Sequence, residues 1–132
     1  MSRKGSIRLG SGHLKGKSVQ VLEGLAVRPM RTRVREALFN RLQNQILSAR
    51  VHDVYTESGA LGIEAISRGA RQSILIEKNK DVLEILKANL QKLGVEAQCK
   101  IMVKDAYRLR PNPPGSGFDV ILLDPPFPDY SG

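Results

Sequence analysis

The segment Asp124-Pro125-Pro126-Phe127 carries the most specific chemical signal in the sequence. It directly follows the apolar run 118–123, and two prolines after a strand end its hydrogen-bonding ladder and fix the backbone. The Asp124 carboxylate and the Pro125 carbonyl can each accept a hydrogen bond from an amino group, while Phe127 can stack on a flat ring. The segment predicts a clamp for the exocyclic amine of a nucleobase. The alternative is a rigid strand terminator beside an incidental phenylalanine.

Two further acids stand at the ends of predicted strands. Glu77 follows the run 73–76, where a carboxylate can accept hydrogen bonds from two ribose hydroxyls. Asp105 follows the run 99–103, where it can accept a hydrogen bond from an adenine amino group. Each also has a purely structural interpretation. Glu77 can be a solvated acid in a charged cluster, and Asp105 can cap the turn that follows it.

The segment from Asp53 to Gly62 is predicted to pass from a strand through a turn into a helix. Ligands of open α/β sheets bind where strand ends meet helix N-termini, and glycines allow the backbone to approach a ligand closely. Gly59 and Gly62 are therefore candidates for a ligand loop. A tight turn with close helix packing explains the same glycines equally well.

The positive charge is concentrated in the first 50 residues. They contain eleven Lys and Arg against two acids, a net charge of +9, whereas residues 51–132 have a net charge of −1. This segregation predicts a face that binds a polyanion, with a merely basic solvated surface as the alternative. The single cysteine, Cys99, excludes an intrachain disulfide and a four-cysteine zinc site, and no metal is expected. Without a signal peptide or a long apolar run, we expect a cytoplasmic protein.

Strands alternate with helices from residue 50 onward, which predicts βαβ units and a parallel sheet. The strand predictions are 51–55, 73–76, 99–103 and 118–123, and the helix predictions are 60–68, 81–93 and a single turn at 106–109. The continuous apolar character of 120–123 is typical of a strand covered on both faces.

The N-terminal region is predicted to form a β-hairpin followed by a helix. Its strands would be Ile7–Leu9 and Ser18–Leu22, joined by a loop rich in glycine and lysine. Thr32 is predicted to cap a helix that runs to about Leu47. The apolar stripe of this helix would consist of residues that recur every four positions: Val34, Leu38, Leu42 and Ile46.

Taken together, these residues resemble class I methyltransferases that use S-adenosylmethionine to methylate amines. The N-terminal segments are similar to the RsmD-type 16S rRNA guanine-N2 methyltransferases. The segments that carry this resemblance are 7–17, 27–29, RVREALFN at 33–40, SGALGIEAISRGA at 58–70, 77–78 and 124–127. The resemblance as a whole covers roughly residues 5–130 and is specific.

The resemblance implies a Rossmann-like fold with an N-terminal β-hairpin and an incomplete parallel sheet, so we interpret the chain as C-terminally truncated. Residues 1–28 would be the RNA-binding hairpin and residues 29–132 the first part of the methyltransferase domain. The cofactor would be S-adenosylmethionine, held by Asp53, Ser58, Gly59, Glu77, Lys78, Asp105 and Ala106. Asp124, Pro125 and Phe127 would hold the guanine. Residues implied in binding 16S rRNA in the small ribosomal subunit are Arg8, His13, Lys15, Lys17, Arg28, Arg31, Arg33 and Arg35.

Two alternatives stay open. Glu57 replaces a glycine of the family's loop, so one alternative is a non-catalytic RNA-binding remnant in which Glu57 and the absent C-terminal third impair cofactor binding. The other is methylation of a DNA amine, which clamps of this kind also serve, although the N-terminal segments argue against it. We expect a monomer whose final strand is available for association with another chain.

Overall fold

The structure is a computed structural model that describes residues 4–22, 29–54, 59–103 and 120–123. The predicted turn at 106–109 lies outside the described residues. In chain order the elements are β1 Lys4–Arg8, β2 Ser18–Leu22, α1 Pro29–Arg41, α2 Gln43–Ile46, β3 Arg50–Val54, α3 Ala60–Ser67, β4 Gln72–Glu77, α4 Lys80–Leu93, β5 Cys99–Val103 and β6 Val120–Leu123.

Strands β3 to β6 form one parallel sheet in the order β5-β4-β3-β6. The chain steps from β3 to β4 and β5 on one side and places β6 on the other side of β3. Because the strand order reverses between β3 and β6, this is the switch point at which doubly wound sheets bind ligands. The arrangement confirms the predicted Rossmann-like fold with a parallel sheet.

Helix α4 follows its sequence pattern closely. The Asn79 side chain caps its N-terminus by accepting hydrogen bonds from the backbone N–H groups of Asp81 and Val82. Gly94 ends the helix in the left-handed conformation, with φ of 70°. The buried face contains the predicted apolar residues Val82, Leu86 and Leu90, together with Leu83, Ile85 and Asn89.

Helix α1 corrects the predicted stripe. The helix begins at Pro29 instead of after a cap at Thr32, and the chain turns at Leu42 before α2. Val34 is 60% exposed and Leu38 is 37% exposed, whereas Arg35 and Phe39 are buried. Over this part of the helix the buried face lies one residue further along, where Phe39 packs in the core and Arg35 pairs with a buried carboxylate. The other two predicted stripe residues, Leu42 and Ile46, do pack against the core.

Strands β1 and β2 form the predicted antiparallel hairpin, with Arg8 opposite Ser18. Its apolar residues Leu9, Leu14 and Val19 belong to the same core cluster as Ile63, Leu75 and Leu86 of the sheet and its helices. The hairpin is thus packed into the main core through Leu9, Leu14 and Val19.

Strand β6 forms the outer edge of the sheet on its side, within the described part of the chain. Leu122 is buried, but Ile121 is 57% exposed. The expectation that this strand is covered on both faces is therefore wrong for the described residues, because only the Leu122 side packs against the core. None of the helices that the structure describes is long and apolar enough to cross a membrane.

Candidate functional site

The carboxyl ends of the four parallel strands lie along one edge of the sheet. Val54 at the end of β3 pairs in register with Leu123 at the end of β6, and Glu77 at the end of β4 pairs with Val103 at the end of β5. The backbone therefore leads Glu77 and the segments after Val103 and Leu123 to this same edge. Those segments contain Asp105, Ala106, Asp124, Pro125 and Phe127, which lie outside the described residues, so their site roles stay predictions.

Asp53 is 1% exposed, and its Oδ2 accepts a hydrogen bond from the Gly62 backbone N–H at 3.1 Å. The carboxylate thus points at the first turn of α3. This contact indicates that Asp53 shapes the loop between β3 and α3 from inside. Through this bond, Asp53 can influence ligand binding only indirectly, by shaping the loop.

Ser73 of β4 bonds the same residue of α3, Gly62, at its carbonyl group, and sequence reasoning missed it. Its hydroxyl is fully buried and donates to the Gly62 carbonyl oxygen at 2.8 Å. A Cβ at Gly62 would lie 2.2 Å from Leu75 Cδ2, so only glycine fits between the helix and the sheet. The available signal was a serine in an otherwise apolar strand, because a buried hydroxyl needs a partner.

Gly59 is the N-cap of α3 and adopts φ of 81°. A Cβ there would lie 2.4 Å from Leu86 Cδ1 on α4. The position thus requires glycine for its backbone conformation and for close packing. These requirements fit the prediction of a tight turn with close helix packing. They are also compatible with a ligand loop, because Gly59 lies at the carboxyl edge of the sheet. Ser58 lies outside the described residues.

Glu77 is held in a defined orientation at the edge. Its Oε2 accepts hydrogen bonds from the backbone N–H groups of Lys78 at 3.0 Å and Asn79 at 2.9 Å. The carboxylate has a second oxygen to offer to a ligand, and the Lys78 side chain is exposed beside it. A carboxylate fixed by its own backbone loses little rotamer freedom when it binds a diol.

The Cys99 thiol is buried at the start of β5, at the other end of the strands from this edge. Burial, followed by the negative charge of Asp53, raises the pKa of Cys99 to about 12. A thiol with such a pKa stays protonated at neutral pH, so Cys99 is not a nucleophile.

The loop between β1 and β2 docks on the far end of α3. Ser67, the last residue of that helix, accepts a hydrogen bond from the His13 backbone N–H at 2.9 Å through its carbonyl oxygen. Its hydroxyl donates to the Ser11 carbonyl at 2.6 Å and accepts from the Leu14 N–H at 2.9 Å. Because α3 starts at the carboxyl edge and is about 12 Å long, this basic loop lies near the opposite edge of the sheet.

Of the residues predicted to bind RNA, five have exposed side chains: Arg8, His13, Lys15, Lys17 and Arg33. The other three are different. Arg28 and the side chain of Arg31 lie outside the described residues. Arg35 is only 6% exposed, and this corrects the expectation that it faces RNA.

Arg35 belongs to an ion network centred on Glu64 of α3, which is fully buried. Arg35 Nε lies 3.4 Å from Glu64 Oε1, and Arg68 Nη2 lies 2.8 Å from Glu64 Oε2. Arg35 also donates to the Arg8 carbonyl, and the Gly10 N–H donates to Glu64 Oε1. The network joins α1, α3 and the hairpin loop, so Arg35 has a structural role. No local pattern indicated the role of Glu64, which lies inside an apolar helix.

A comparison with known proteins places this geometry in a family. The family model described as conserved hypothetical protein 95 matches residues 7–131. The chain belongs to this family. It is also 36% identical over 126 residues to "Ribosomal RNA small subunit methyltransferase D" of Haemophilus influenzae, covering 94% of this chain and 65% of the relative. The protein of the same name from Escherichia coli K12 is 35% identical, with coverage of 96% and 63%.

Solved structures agree with the family assignment. The yhhF structure from Escherichia coli superposes with a TM-score of 0.70 at 39% identity and covers 77% of this chain and 55% of that one. A structure from Haemophilus influenzae gives a TM-score of 0.70 at 33% identity, with coverage of 93% and 66%. The chain spans a little under two thirds of the length of the two curated relatives.

Proposed function

We propose that the protein to which this chain belongs transfers a methyl group from S-adenosylmethionine to the N2 amine of a guanine in 16S rRNA of the small ribosomal subunit. The observation that carries the proposal is the common edge of the sheet, to which the strands lead Glu77, Asp105 and the 124–127 clamp. Relatives named ribosomal RNA small subunit methyltransferase D support it.

The described residues suit a nucleoside cofactor at this edge. Glu77 offers a fixed carboxylate to ribose hydroxyls, with Lys78 beside it, while Asp105 and Ala106 follow the next strand and suit the adenine. Ser58 and Gly59 approach the methionine part, and Asp53 positions them through Gly62. S-adenosylmethionine supplies a methyl group bonded to a positively charged sulfur.

The clamp supplies orientation. The guanine amine donates hydrogen bonds to the Asp124 carboxylate and the Pro125 carbonyl, and Phe127 stacks on the base. The nitrogen is thereby aimed at the methyl carbon, and positioning of this kind accounts for much of the rate enhancement of such a reaction. The target base must leave its stack to reach the clamp.

The RNA partner follows from the exposed cations. Arg8, His13, Lys15, Lys17 and Arg33 offer side chains to phosphates, and Arg28 and Arg31 add charge in sequence near α1. Each phosphate contact contributes affinity by releasing counterions, and this contribution decreases with salt, so RNA binding should weaken steeply as salt is raised.

The test is transfer of labelled methyl from S-adenosylmethionine to small ribosomal subunits that lack the modification. Asp124→Ala should abolish transfer and leave cofactor affinity intact, whereas Glu77→Ala should weaken cofactor binding at least tenfold. Methyl transfer that persists in Asp124→Ala, or cofactor affinity that is unchanged in Glu77→Ala, would show that the site is elsewhere.

A second candidate function is RNA binding without methyl transfer, which Glu57 favours. A glutamate in the loop before Gly59 brings a negative charge near the expected position of the cofactor carboxylate. Two like charges about 4 Å apart cost roughly 1–4 kcal/mol. Glu57→Gly should then tighten cofactor binding at least tenfold, and Glu57→Gln separates the effect of charge from that of size. Micromolar cofactor binding by the unaltered chain would eliminate this candidate.

A further inference from the structure

The basic hairpin is held by directed hydrogen bonds at two places, in the loop between its strands and at the middle of β2. Its apolar residues already bury themselves in the shared core. Burial of apolar surface is non-directional and fixes no particular orientation. Hydrogen bonds at defined angles do fix an orientation.

The first contact is between the hairpin loop and Ser67 at the end of α3. The Ser67 hydroxyl and carbonyl together bond three loop residues, Ser11, His13 and Leu14. Gly12 between them has φ of 87°, and a Cβ there would lie 1.8 Å from the Ser67 carbonyl oxygen. The loop is therefore shaped to fit this one residue at the end of α3.

The second contact is between Gln20 of β2 and the Asn89 side chain of α4. Asn89 is 2% exposed, and its side-chain amide accepts from the Gln20 N–H and donates to the Gln20 carbonyl, both at 2.9 Å. The amide thus pairs with β2 as a neighbouring strand would. Residues 20 and 89 are far apart in sequence, so this contact fixes the hairpin relative to the sheet.

The cations of the hairpin lie between and beside these two contacts. Lys15 and Lys17 follow the residues that Ser67 holds, and both side chains are exposed. Resting on the proposed function in rRNA methylation, we infer that Ser67 and Asn89 are positioning residues for RNA recognition. They hold the hairpin in one orientation, so that its cations meet several phosphates at once with little ordering on binding.

The experiment measures affinity for a 16S rRNA transcript as a function of salt for Ser67→Ala and Asn89→Ala, at a temperature where each variant is folded. Each variant should bind RNA at least fivefold more weakly, with a shallower salt dependence because fewer phosphates are engaged together. Affinity for S-adenosylmethionine should be unchanged. A residue that is important only for stability would lower the melting temperature without altering the salt slope of the folded protein.

The matched control is Ser73→Ala. It also removes a buried hydroxyl that bonds α3, but its bond is to Gly62 and not to the hairpin. It should leave RNA affinity and salt slope at their original values. Asn89→Ala keeps the Ser67 contact and serves as the second test if Ser67→Ala does not fold.

A double-mutant cycle gives the sharpest readout. If Ser67 acts by positioning Lys15 and Lys17, then replacing both lysines by alanine should cost less affinity in Ser67→Ala than in the original chain. Provided that the original chain binds RNA, two results would overturn the inference. One is full additivity in this cycle, and the other is unchanged RNA affinity in both Ser67→Ala and Asn89→Ala. Failure of the original chain to bind RNA at all would instead overturn the proposed function.

Discussion

Asp53 and Gly62 are joined by a buried hydrogen bond of 3.1 Å between the carboxylate Oδ2 and the backbone N–H. This bond connects the end of β3 to the first turn of α3, the two elements that enclose the proposed cofactor loop. The Asp53 charge also helps to raise the pKa of Cys99. One carboxylate therefore influences both loop geometry and the chemistry of a buried thiol.

Asp53→Asn should lower the free energy of unfolding by about 1–3 kcal/mol, because the Gly62 N–H loses a charged acceptor. It should also lower the pKa of Cys99, although burial will keep that pKa above the ordinary value of 9.0. Urea denaturation and the pH dependence of thiol alkylation measure the two effects. Ser73→Ala is the control, since it removes a buried hydrogen bond to the same residue, Gly62, without removing a charge. An equal change in Cys99 reactivity in both variants would contradict the electrostatic explanation.

Gly59 and Gly94 provide a matched pair for the cost of packing. Both have positive φ, but a Cβ at Gly59 meets Leu86 whereas a Cβ at Gly94 meets nothing within 4 Å. Gly94→Ala should cost about 1 kcal/mol from backbone strain alone. Gly59→Ala should cost a further 1–3 kcal/mol or so from overpacking.

The measurement for this pair is chemical denaturation of both variants. Gly59→Ala should cost less stability when it is added to Leu86→Ala than when it is added to the original chain, because Leu86→Ala removes the atom that the new Cβ would meet. Equal losses of stability at Gly59 and Gly94 would show that packing against Leu86 is relaxed without cost.

Local patterns in the sequence predicted the sheet and its helices well. The strands after residue 50 and helix α4 depend on short-range signals, such as the strand-like runs at 73–76 and 99–103. Such signals do not depend on tertiary contacts, so β3, β4, β5 and α4 lie close to their predicted positions.

The errors arose where a distant partner decided the outcome. The apolar stripe of α1 predicted that Val34 would be buried, but the pairing of Arg35 with Glu64 turned the neighbouring face inward. Likewise, the sequence marked Ser67 and Asn89 with no pattern, because their partners lie more than 50 residues away. Contacts between residues so distant in sequence leave no periodicity in a single sequence.

Glu64 is the residue whose removal should destabilise the described core most. Glu64→Gln keeps the shape of the side chain but leaves Arg35 and Arg68 without a buried countercharge. Removing one partner of a buried ion pair costs about 3–5 kcal/mol. Urea denaturation measures the loss, and faster hydrogen exchange at the Gly10 amide reports release of the loop. Glu84→Gln on the exposed face of α4 is the control. A loss no larger than that of the control would mean that water already screens the network.

His52 on β3 should make stability depend on pH. Burial lowers the pKa of His52 below its ordinary value of 6.5 in the folded chain, whereas the unfolded chain regains that ordinary value. As pH falls through 6.5, the unfolded state therefore binds more protons than the folded state, and stability decreases until the folded-state pKa is passed. The free energy of unfolding should thus rise with pH from the lowered pKa of folded His52 up through the ordinary value of 6.5. His52→Gln should flatten this rise, while His13→Gln, which removes the exposed histidine, should preserve it. Parallel pH profiles for the original chain and His52→Gln would show that the imidazole stays solvated enough to titrate normally.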